Sequence, residues 1–151
     1  MSNPIKFSLD GQDVEASIGE TIWDVSKRLG NTIPHLCHRD KPGYQPDANC
    51  RACMVEIGDE RVLAPSCRRE PTENMQVTTD SHRAKTARKM VLELLMTDQP
   101  DRDKAHDPKS LLWYWADKVG IDSSRFERRE MPANDSSHPA MAVNLDACIN
   151  C

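Results

Sequence analysis

Four cysteines constrain this chain more than any other feature, because they are grouped within one short stretch of sequence. They are Cys37, Cys50, Cys53 and Cys67, with the spacing C-x12-C-x2-C-x13-C, and the next cysteine is Cys148. Two cysteines three positions apart can direct both sulfurs at one metal centre from a single tight turn, while the outer two arrive from separate segments. The set therefore offers four soft thiolate ligands to a metal.

Three kinds of site would use such a set. An iron–sulfur cluster can be held by four thiolates from loops. A structural zinc site with four cysteines usually takes two C-x2-4-C knuckles, and only one is present here. Two disulfides are the third alternative, but no secretory signal precedes them. The small or turn-forming residues of the stretch favour a cluster, since they let backbone N–H groups approach its sulfurs. They are Gly43, Ala48, Asn49, Ala52 and Ser66.

Two histidines, His35 and His38, flank Cys37. A Rieske-type centre would use two histidines in place of two cysteines. Because four suitably spaced cysteines make that substitution unnecessary, we expect both histidines to be exposed loop residues.

The composition excludes several classes of function. The chain has 151 residues, with 20 basic and 24 acidic ones and a net charge of −4, so there is no basic footprint for nucleic acid. No apolar stretch is long enough to span a membrane, and the N-terminus has no signal region. We expect a cytoplasmic protein with reduced thiols, in which six cysteines indicate metal binding more than disulfides.

Five short segments alternate apolar and polar residues or are rich in β-branched residues, which favours strands. They are 5–9, 14–16, 54–57, 61–64 and 75–79. Asp10-Gly11 is a hairpin turn signal between the first two. With one helix pattern between the second and third strands, this order predicts a small mixed sheet packed on one helix, which is an α+β fold.

Two helices are predicted before residue 98. The first begins at Thr21, a candidate N-cap with Asp24 three residues on, and ends at Gly30; its Trp23 is expected to be a packing residue. The second, over 80–97, is the clearest in the chain. Its apolar stripe is Ala84, Ala87, Met90, Val91, Leu94 and Leu95, and its expected solvated face is His82, Arg83, Lys85, Arg88 and Lys89.

The rest of the chain has weaker patterns. Residues 98–107 read as a polar loop, and Asp107-Pro108 suits the start of a short helix that Gly120 ends. Residues 122–140 have few apolar anchors and predict an extended linker.

Two segments carry a resemblance to a known family. Ile33–Cys37 and Asn49–Ile57 resemble the 2Fe-2S ferredoxin domain that begins the large iron–sulfur subunit of respiratory complex I. Related domains begin NAD-reducing and iron-only hydrogenases and the catalytic subunit of NAD-dependent formate dehydrogenases. The resemblance implies a β-grasp ferredoxin fold over 1–79, and it implies that the four clustered cysteines bind a 2Fe-2S cluster.

The absence of one motif favours the formate dehydrogenase branch. In the complex I family a second cluster, with one histidine and three cysteines as ligands, follows the long helix. Here 80–121 is a helical segment that holds no cysteine, and His106 alone cannot bind such a cluster, so we expect it to be an ordinary surface histidine. By resemblance, the longer protein would oxidise formate and pass electrons to NAD+.

That branch implies further cofactors and a partner. The longer protein would hold 4Fe-4S clusters and a molybdenum or tungsten bis-pterin guanine dinucleotide, and its partner would be a flavin- and NAD-binding iron–sulfur subunit. The sequence printed here contains no catalytic triad, phosphate-binding glycine loop or nicotinamide fingerprint, so no catalytic residue is assigned. The alternatives are the iron–sulfur subunit of a hydrogenase or an NADH:quinone oxidoreductase and, from another class, a zinc-stabilised binding module.

The chain ends within a second cysteine motif. Cys148 and Cys151 resemble the opening of the bacterial ferredoxin pattern C-x2-C-x2-C-x3-C-P. We expect 141–151 to be the start of a 4Fe-4S domain with these two residues as ligands, and the chain to be the N-terminal piece of a longer protein.

Overall fold

The computed structural model describes residues 4–39, 41–146 and 148–149 and confirms the α+β class. The elements in chain order are β1 (Ile5–Leu9), β2 (Gln12–Ala16), α1 (Ile22–Arg28), β3 (Met54–Ile57), β4 (Ala64–Pro65), β5 (Gln76–Thr78), α2 (His82–Thr97), α3 (Leu111–Val119), β6 (Asp135–His138) and β7 (Met141–Val143). The chain divides into two compact units, Met1–Arg88 and Lys89–Cys151. None of the described helices is both long and apolar enough to cross a bilayer.

A five-stranded mixed sheet, in the order β2-β1-β5-β3-β4, forms the frame of the first unit. β1 pairs with β2 antiparallel and with β5 parallel, and β3 pairs antiparallel with both β4 and β5. Asp10 and Gly11 have φ angles of 52° and 80°, which suit the two-residue hairpin turn predicted between β1 and β2.

Helix α1 has the predicted capping box. The Asp24 backbone N–H donates to Thr21 Oγ1 at 3.2 Å, and the Thr21 N–H donates to Asp24 Oδ2 at 2.9 Å. The helix ends as expected before Gly30, whose φ of 80° is the left-handed conformation that glycine adopts without strain. The buried face of α1, which includes Ile22 and Val25, packs in the core of the sheet.

The core of the first unit joins the sheet to the cysteine-bearing loops. Its buried members include Phe7, Leu9, Ile22, Trp23, Val25, Val55, Ile57 and Val77 from the strands and α1, and also Cys53 and Cys67. The core therefore holds two of the four clustered cysteines in place directly.

The fourth strand is shorter and later than predicted. A strand over 61–64 was expected, but only Ala64 and Pro65 pair with β3, and 61–63 is irregular. Val62 is exposed, so its β-branched side chain does not contribute to a buried sheet face and the pattern that suggested a strand is misleading here.

Helix α2 (His82–Thr97) lies where it was predicted, and Ser81 caps it: its side chain accepts the N–H of Ala84 at 3.1 Å. The buried positions of the helix differ from the predicted stripe. Met90 and Leu94 are exposed, and Arg88 is buried although it was assigned to the solvated face. The buried positions Ala84, Arg88, Leu92 and Met96 recur every four residues, which is one face of a helix.

The second unit is built around α3 and a small hairpin. α3 begins at Leu111, not at Pro108 as predicted, and Gly120 ends it in the left-handed conformation. Its core positions are Leu112, Trp113, Trp115 and Ala116. The hairpin of β6 and β7 was not predicted, and β6 lies where the end of a linker was expected; every residue of its strands is exposed, so no buried alternation indicated it.

Candidate iron–sulfur site

The four clustered cysteines are all buried in the first unit. Cys37, Cys50 and Cys53 come from the long connection between α1 and β3, and Cys67 follows β4. Their exposed fractions are 2%, 4%, 0% and 1%, in chain order. A site enclosed to this degree excludes bulk water from around its sulfurs.

The thiols contact one another as two pairs. Cys37 and Cys50 are joined by a side-chain hydrogen bond, and the Cys37 backbone N–H also donates to Cys50 Sγ at 3.4 Å. Cys53 and Cys67 form the second hydrogen-bonded pair. All four are free thiols, so the structure does not support the two disulfides considered from sequence.

The pairing bears on which metal group the thiols fit. The pKa of Cys67 is affected most by Cys53 and also by Cys37 and Cys50, so the two pairs belong to one site. A structural zinc ion needs four ligands around a single point. Two thiol pairs instead suit a group with two metal atoms, each bound by one pair.

Hydrogen bonds within the site distribute its charge unevenly. The hydrogen bond from the Cys67 thiol is the largest cause that lowers the pKa of Cys53, to about 6, against the opposing effect of burial. The same contact, together with burial, raises the pKa of Cys67. Burial also raises the pKa of Cys50 to about 11. Since metals bind thiolates, metal binding has to displace protons from Cys50 and Cys67.

Backbone N–H groups point at the sulfurs, as a cluster-binding loop requires. The N–H groups of Cys37 and Ala52 donate to the sulfur of Cys50, and that of Cys67 donates to the sulfur of Cys53. Two residues of the loop, Ala48 and Arg51, adopt left-handed φ angles of 60° and 55°. Each costs an L-residue roughly 1–2 kcal/mol, so the surrounding contacts must hold the loop in this form.

Ser66 and Tyr44 fix the ends of the cysteine segments. The buried Ser66 hydroxyl donates to the carbonyl of Cys53 at 2.8 Å. The backbone N–H of Trp23 donates to the carbonyl of Ser66 at 3.0 Å. The Tyr44 hydroxyl donates to the carbonyl of Cys37 at 2.6 Å. Ser66 stood out in the sequence for its small size, whereas no role was predicted for Tyr44, because a lone tyrosine in a polar loop carries no signal for such a contact.

Trp23 packs against both histidines that flank Cys37. Its ring centroid lies 4.7 Å from that of His35 and 4.1 Å from that of His38. Trp23 is buried, as predicted, but neither histidine is the exposed loop residue that was expected. Burial is the largest cause that lowers the pKa of His35. The indole ring therefore positions the segment that carries Cys37.

Comparison with known families decides the identity of this domain. A family model described as a 2Fe-2S iron-sulfur cluster binding domain matches residues 2–82, which is more than half of the chain. The chain belongs to this 2Fe-2S domain family. The four clustered cysteines of the 2Fe-2S domain all lie inside the matched region.

Similar proteins are subunits of NAD(P)-linked oxidoreductases. The HndD subunit of the NADP-reducing hydrogenase of Solidesulfovibrio fructosivorans is 36% identical over 97% of this chain, which spans 26% of that protein. A subunit of the NADH-quinone oxidoreductase of Rickettsia bellii is 29% identical over 97% of this chain and 22% of its own length. The chain thus spans about a quarter of the curated relatives it matches.

A solved structure supports the same family. The crystal structure of an NAD+-reducing [NiFe]-hydrogenase in the H2-reduced state aligns with a TM-score of 0.79 and 25% identity, over 97% of this chain and 62% of that one. The fold of this chain is therefore similar to part of a hydrogenase chain.

The residues of the 2Fe-2S domain fit its cofactor. The two buried thiol pairs would supply one pair of ligands for each iron, and backbone N–H groups donate hydrogen bonds to the sulfurs of Cys50 and Cys53. That these four cysteines are the ligands stays a prediction, and the sequence could not predict how they are paired.

The structure describes only part of the candidate metal ligands outside the 2Fe-2S domain. Cys148 is half-buried in the second unit, and its backbone N–H donates to the carbonyl of Leu145 at 3.2 Å. Cys151 lies outside the described residues. His106 is exposed, as expected for a surface histidine. A 4Fe-4S cluster at Cys148 and Cys151 therefore stays a prediction.

Proposed function

We propose that this domain is a one-electron relay in which Cys37, Cys50, Cys53 and Cys67 ligate a 2Fe-2S cluster. The observation that carries the proposal is the arrangement of the four buried thiols as two hydrogen-bonded pairs inside a 2Fe-2S domain. When bound, such a cluster accepts and releases one electron at a time. The chain's part is to hold the thiolates, donate backbone hydrogen bonds and exclude water.

The relay belongs to a larger NAD(P)-linked oxidoreductase. The relatives are named as subunits of an NADP-reducing hydrogenase and of NADH-quinone oxidoreductases, and the chain covers only 26% and 22% of the first two. These names favour the hydrogenase or NADH:quinone oxidoreductase reading over formate dehydrogenase. The partner that fits this role is a flavin- and NAD-binding iron–sulfur subunit, which exchanges electrons with a nicotinamide.

Formate oxidation is a narrower candidate that one sequence observation favours. No cysteine lies between Cys67 and Cys148, so the second cluster expected in the complex I family has no cysteine ligands in this region. A formate-oxidising protein would carry a molybdenum or tungsten bis-pterin cofactor outside this chain. Its metal content separates this candidate from a hydrogenase, which would contain nickel or only iron.

The test uses the intact protein with its associated subunits. Hydrogen, formate, NADH and NADPH are added separately under anaerobic conditions, and the electron paramagnetic resonance (EPR) signal of the reduced two-iron cluster is recorded after each addition. The relay proposal predicts that at least NADH or NADPH produces this signal; hydrogen also produces it in a hydrogenase, formate also in a formate dehydrogenase, and neither in an NADH:quinone oxidoreductase. A cluster that dithionite reduces but that none of the physiological reductants reduces would contradict the proposal.

Cys148 and Cys151 supply the second part of the proposal. Two cysteines at this spacing match half of a bacterial-type ferredoxin motif, and any further ligands would follow residue 151. In the intact protein, substitution of Cys148 by alanine should remove one four-iron signal and leave the two-iron signal unchanged. A four-iron signal that persists in this variant would exclude the assignment.

A further inference from the structure

Arg88 is buried, whereas the other basic side chains near it on α2 are exposed. Its exposed fraction is 7%, while Arg83, Lys85 and Lys89 are all exposed. Ala84, one turn earlier on the same face, is fully buried. The helix therefore directs one guanidinium into the protein interior, where a charge is costly unless an opposite charge compensates it.

Two nitrogens of this guanidinium have no hydrogen-bond partner. Arg88 Nε and Nη2 are both inaccessible to solvent and unpaired among the described residues. Other arginines of the first unit are matched to carboxylates: Arg28 pairs with Glu20 and Arg83 pairs with Glu56. Arg88 is thus a buried cation whose compensating charge has to come from something other than a carboxylate in direct contact.

The first turn of α2 lies against the strand that leaves the cysteine site. Arg83 forms an ion pair with Glu56 of β3 at 3.5 Å and donates a hydrogen bond to the carbonyl of Arg61. β3 begins at Met54, immediately after Cys53. Arg88 follows Arg83 by about 7.5 Å along the helix axis, and the charged groups that act on it include Cys53, the residue that directly precedes β3.

Among the negative groups that act on Arg88, Cys53 has the largest effect. Burial lowers the pKa of Arg88, and attraction to Cys53 is the largest effect that opposes this, ahead of Asp10 and Asp80. The Asp10 carboxylate already accepts hydrogen bonds from Thr79 and Asn31. Cys53 is fully buried, so little solvent screens its interaction with Arg88.

We propose that Arg88 is a fixed, buried counter-charge to the 2Fe-2S cluster and that it raises the cluster's reduction potential. The inference rests on the proposed function, since it requires a cluster on the four cysteines. Reduction adds one negative charge at the site, and a nearby cation in a low-dielectric interior stabilises the reduced state more than the oxidised one. Arginine stays protonated at all working pH values, so its contribution needs no proton transfer.

The experiment is an EPR-monitored redox titration of the two-iron signal in the intact protein. Arg88→Met removes the charge and keeps an unbranched apolar side chain, while Arg88→Lys keeps the charge. Lys85→Met is the matched control, because it removes one exposed charge from the same helix. Arg88→Met is expected to lower the ratio of reduced to oxidised cluster at a fixed potential at least tenfold, which is a shift of about 59 mV for one electron.

Two further readouts separate a charge effect from a structural one. Arg88→Lys is expected to restore most of the potential lost in Arg88→Met. The difference between Arg88→Met and the unsubstituted protein should persist in 1 M salt, because a buried charge is not screened, whereas any shift in Lys85→Met should disappear. If Arg88→Met does not bind the cluster, Arg88→Gln removes the same charge and is titrated in its place.

The outcomes distinguish failure of the inference from failure of the proposed function. A protein without two irons and two sulfides in this domain would overturn both. A loaded Arg88→Met variant with an unchanged potential would overturn the inference alone. So would a Lys85→Met variant that lowers the potential as much as Arg88→Met, since the effect would then belong to net charge and not to this buried site.

Discussion

Cys53 and Cys67 illustrate how neighbouring residues set the chemistry of the cysteine site. Their shared hydrogen bond lowers the pKa of Cys53 to about 6 and raises that of Cys67, so the negative charge concentrates on Cys53. The Ser66 hydroxyl and N–H both donate to the carbonyl of Cys53, which holds this end of the site in place. Cys53 is thus the more readily deprotonated member of this pair, and a metal has to displace the protons of Cys50 and Cys67.

Substitution of single cysteines tests the ligand set at this scale. Cys50→Ala removes one of the four thiolates and is expected to abolish the two-iron EPR signal and most of the iron bound to this domain. Cys148→Ala is the control, because Cys148 belongs to the second unit and should leave that signal unchanged. A Cys50→Ala variant that keeps the signal would show that Cys50 is not a ligand.

His35 makes a pH-dependent contribution to stability. Burial lowers its pKa from the usual value of about 6.5, so the folded protein resists the proton that the unfolded chain accepts. The free energy of unfolding should therefore fall as the pH drops below about 6.5 and level off below the folded-state pKa. His35→Phe keeps an aromatic ring against Trp23 and should reduce this pH dependence in urea unfolding of the cluster-loaded chain.

The control for that prediction is Thr86→Ala, because Thr86 is exposed and has no titratable group, so this change should leave the pH dependence of the unsubstituted chain as it is. Equal pH profiles for His35→Phe and the unsubstituted chain would refute the role assigned to His35.

At the scale of elements, α1 connects the sheet to the cysteine site through its N-terminus. Thr21 and Asp24 form the capping box. The backbone N–H of Trp23, in the first turn of the helix, donates to the carbonyl of Ser66. Because Ser66 directly precedes Cys67, a loosened first turn would disturb the segment that carries a ligand.

Thr21→Ala should destabilise the chain by about 1 kcal/mol, since it removes the side chain that caps Asp24. Thr86→Ala is the matched control, because Thr86 is an exposed residue within α2 and its replacement by a better helix former should be neutral or slightly stabilising. Thermal unfolding followed by circular dichroism measures both variants. A Thr21→Ala variant as stable as Thr86→Ala would mean that the capping box contributes little.

The orientation of α2 is the feature of the fold that was predicted least well from the sequence. The predicted stripe contained Leu94, and the predicted solvated face contained Arg88, but Leu94 is exposed and Arg88 and Leu92 are buried. A prediction from hydrophobic periodicity assigns charged residues to the solvated face of a helix, because an unpaired buried charge is unfavourable. That assumption fails at Arg88, whose environment is decided by tertiary contacts that a one-dimensional pattern does not contain.

Leu92 and Leu94 provide a direct test of this orientation. Leu92 is fully buried, so Leu92→Ala should cost about 2 to 5 kcal/mol of unfolding free energy through lost burial and a new cavity. Leu94 is 46% exposed, and Leu94→Ala should cost much less, about 0.5 kcal/mol. Urea unfolding of the two variants measures the difference, and a reversed order would mean that the sequence-based stripe was right.

At the scale of the whole molecule, the sequence was most informative where chemistry requires particular residues. The cysteine spacing, the Asp10-Gly11 turn and the Thr21 cap depend on local residue types, and the structure has the predicted turn, cap and mixed sheet. The β6–β7 hairpin was missed because its strands are entirely exposed and show no alternation. The thiol pairing was missed because it depends on how distant segments meet.

The similar proteins favour a different type of enzyme for this domain than the sequence alone predicted. The named proteins are subunits of hydrogenases and NADH-quinone oxidoreductases, and this chain corresponds to about a quarter of the curated ones. Formate oxidation therefore rests on the missing cysteine motif alone. The shared property of these relatives, participation in NAD(P)-linked electron transfer, is the part of the interpretation that the comparisons support.

The most direct test of the central claim is the metal and sulfide content of the anaerobically purified chain, with an EPR spectrum after dithionite reduction. The proposed relay predicts two irons and two acid-labile sulfides bound by this 2Fe-2S domain, and a spin-half signal in the reduced state. One zinc per chain, with no sulfide and no such signal, would contradict it and leave a zinc-stabilised binding module as the function of the four cysteines.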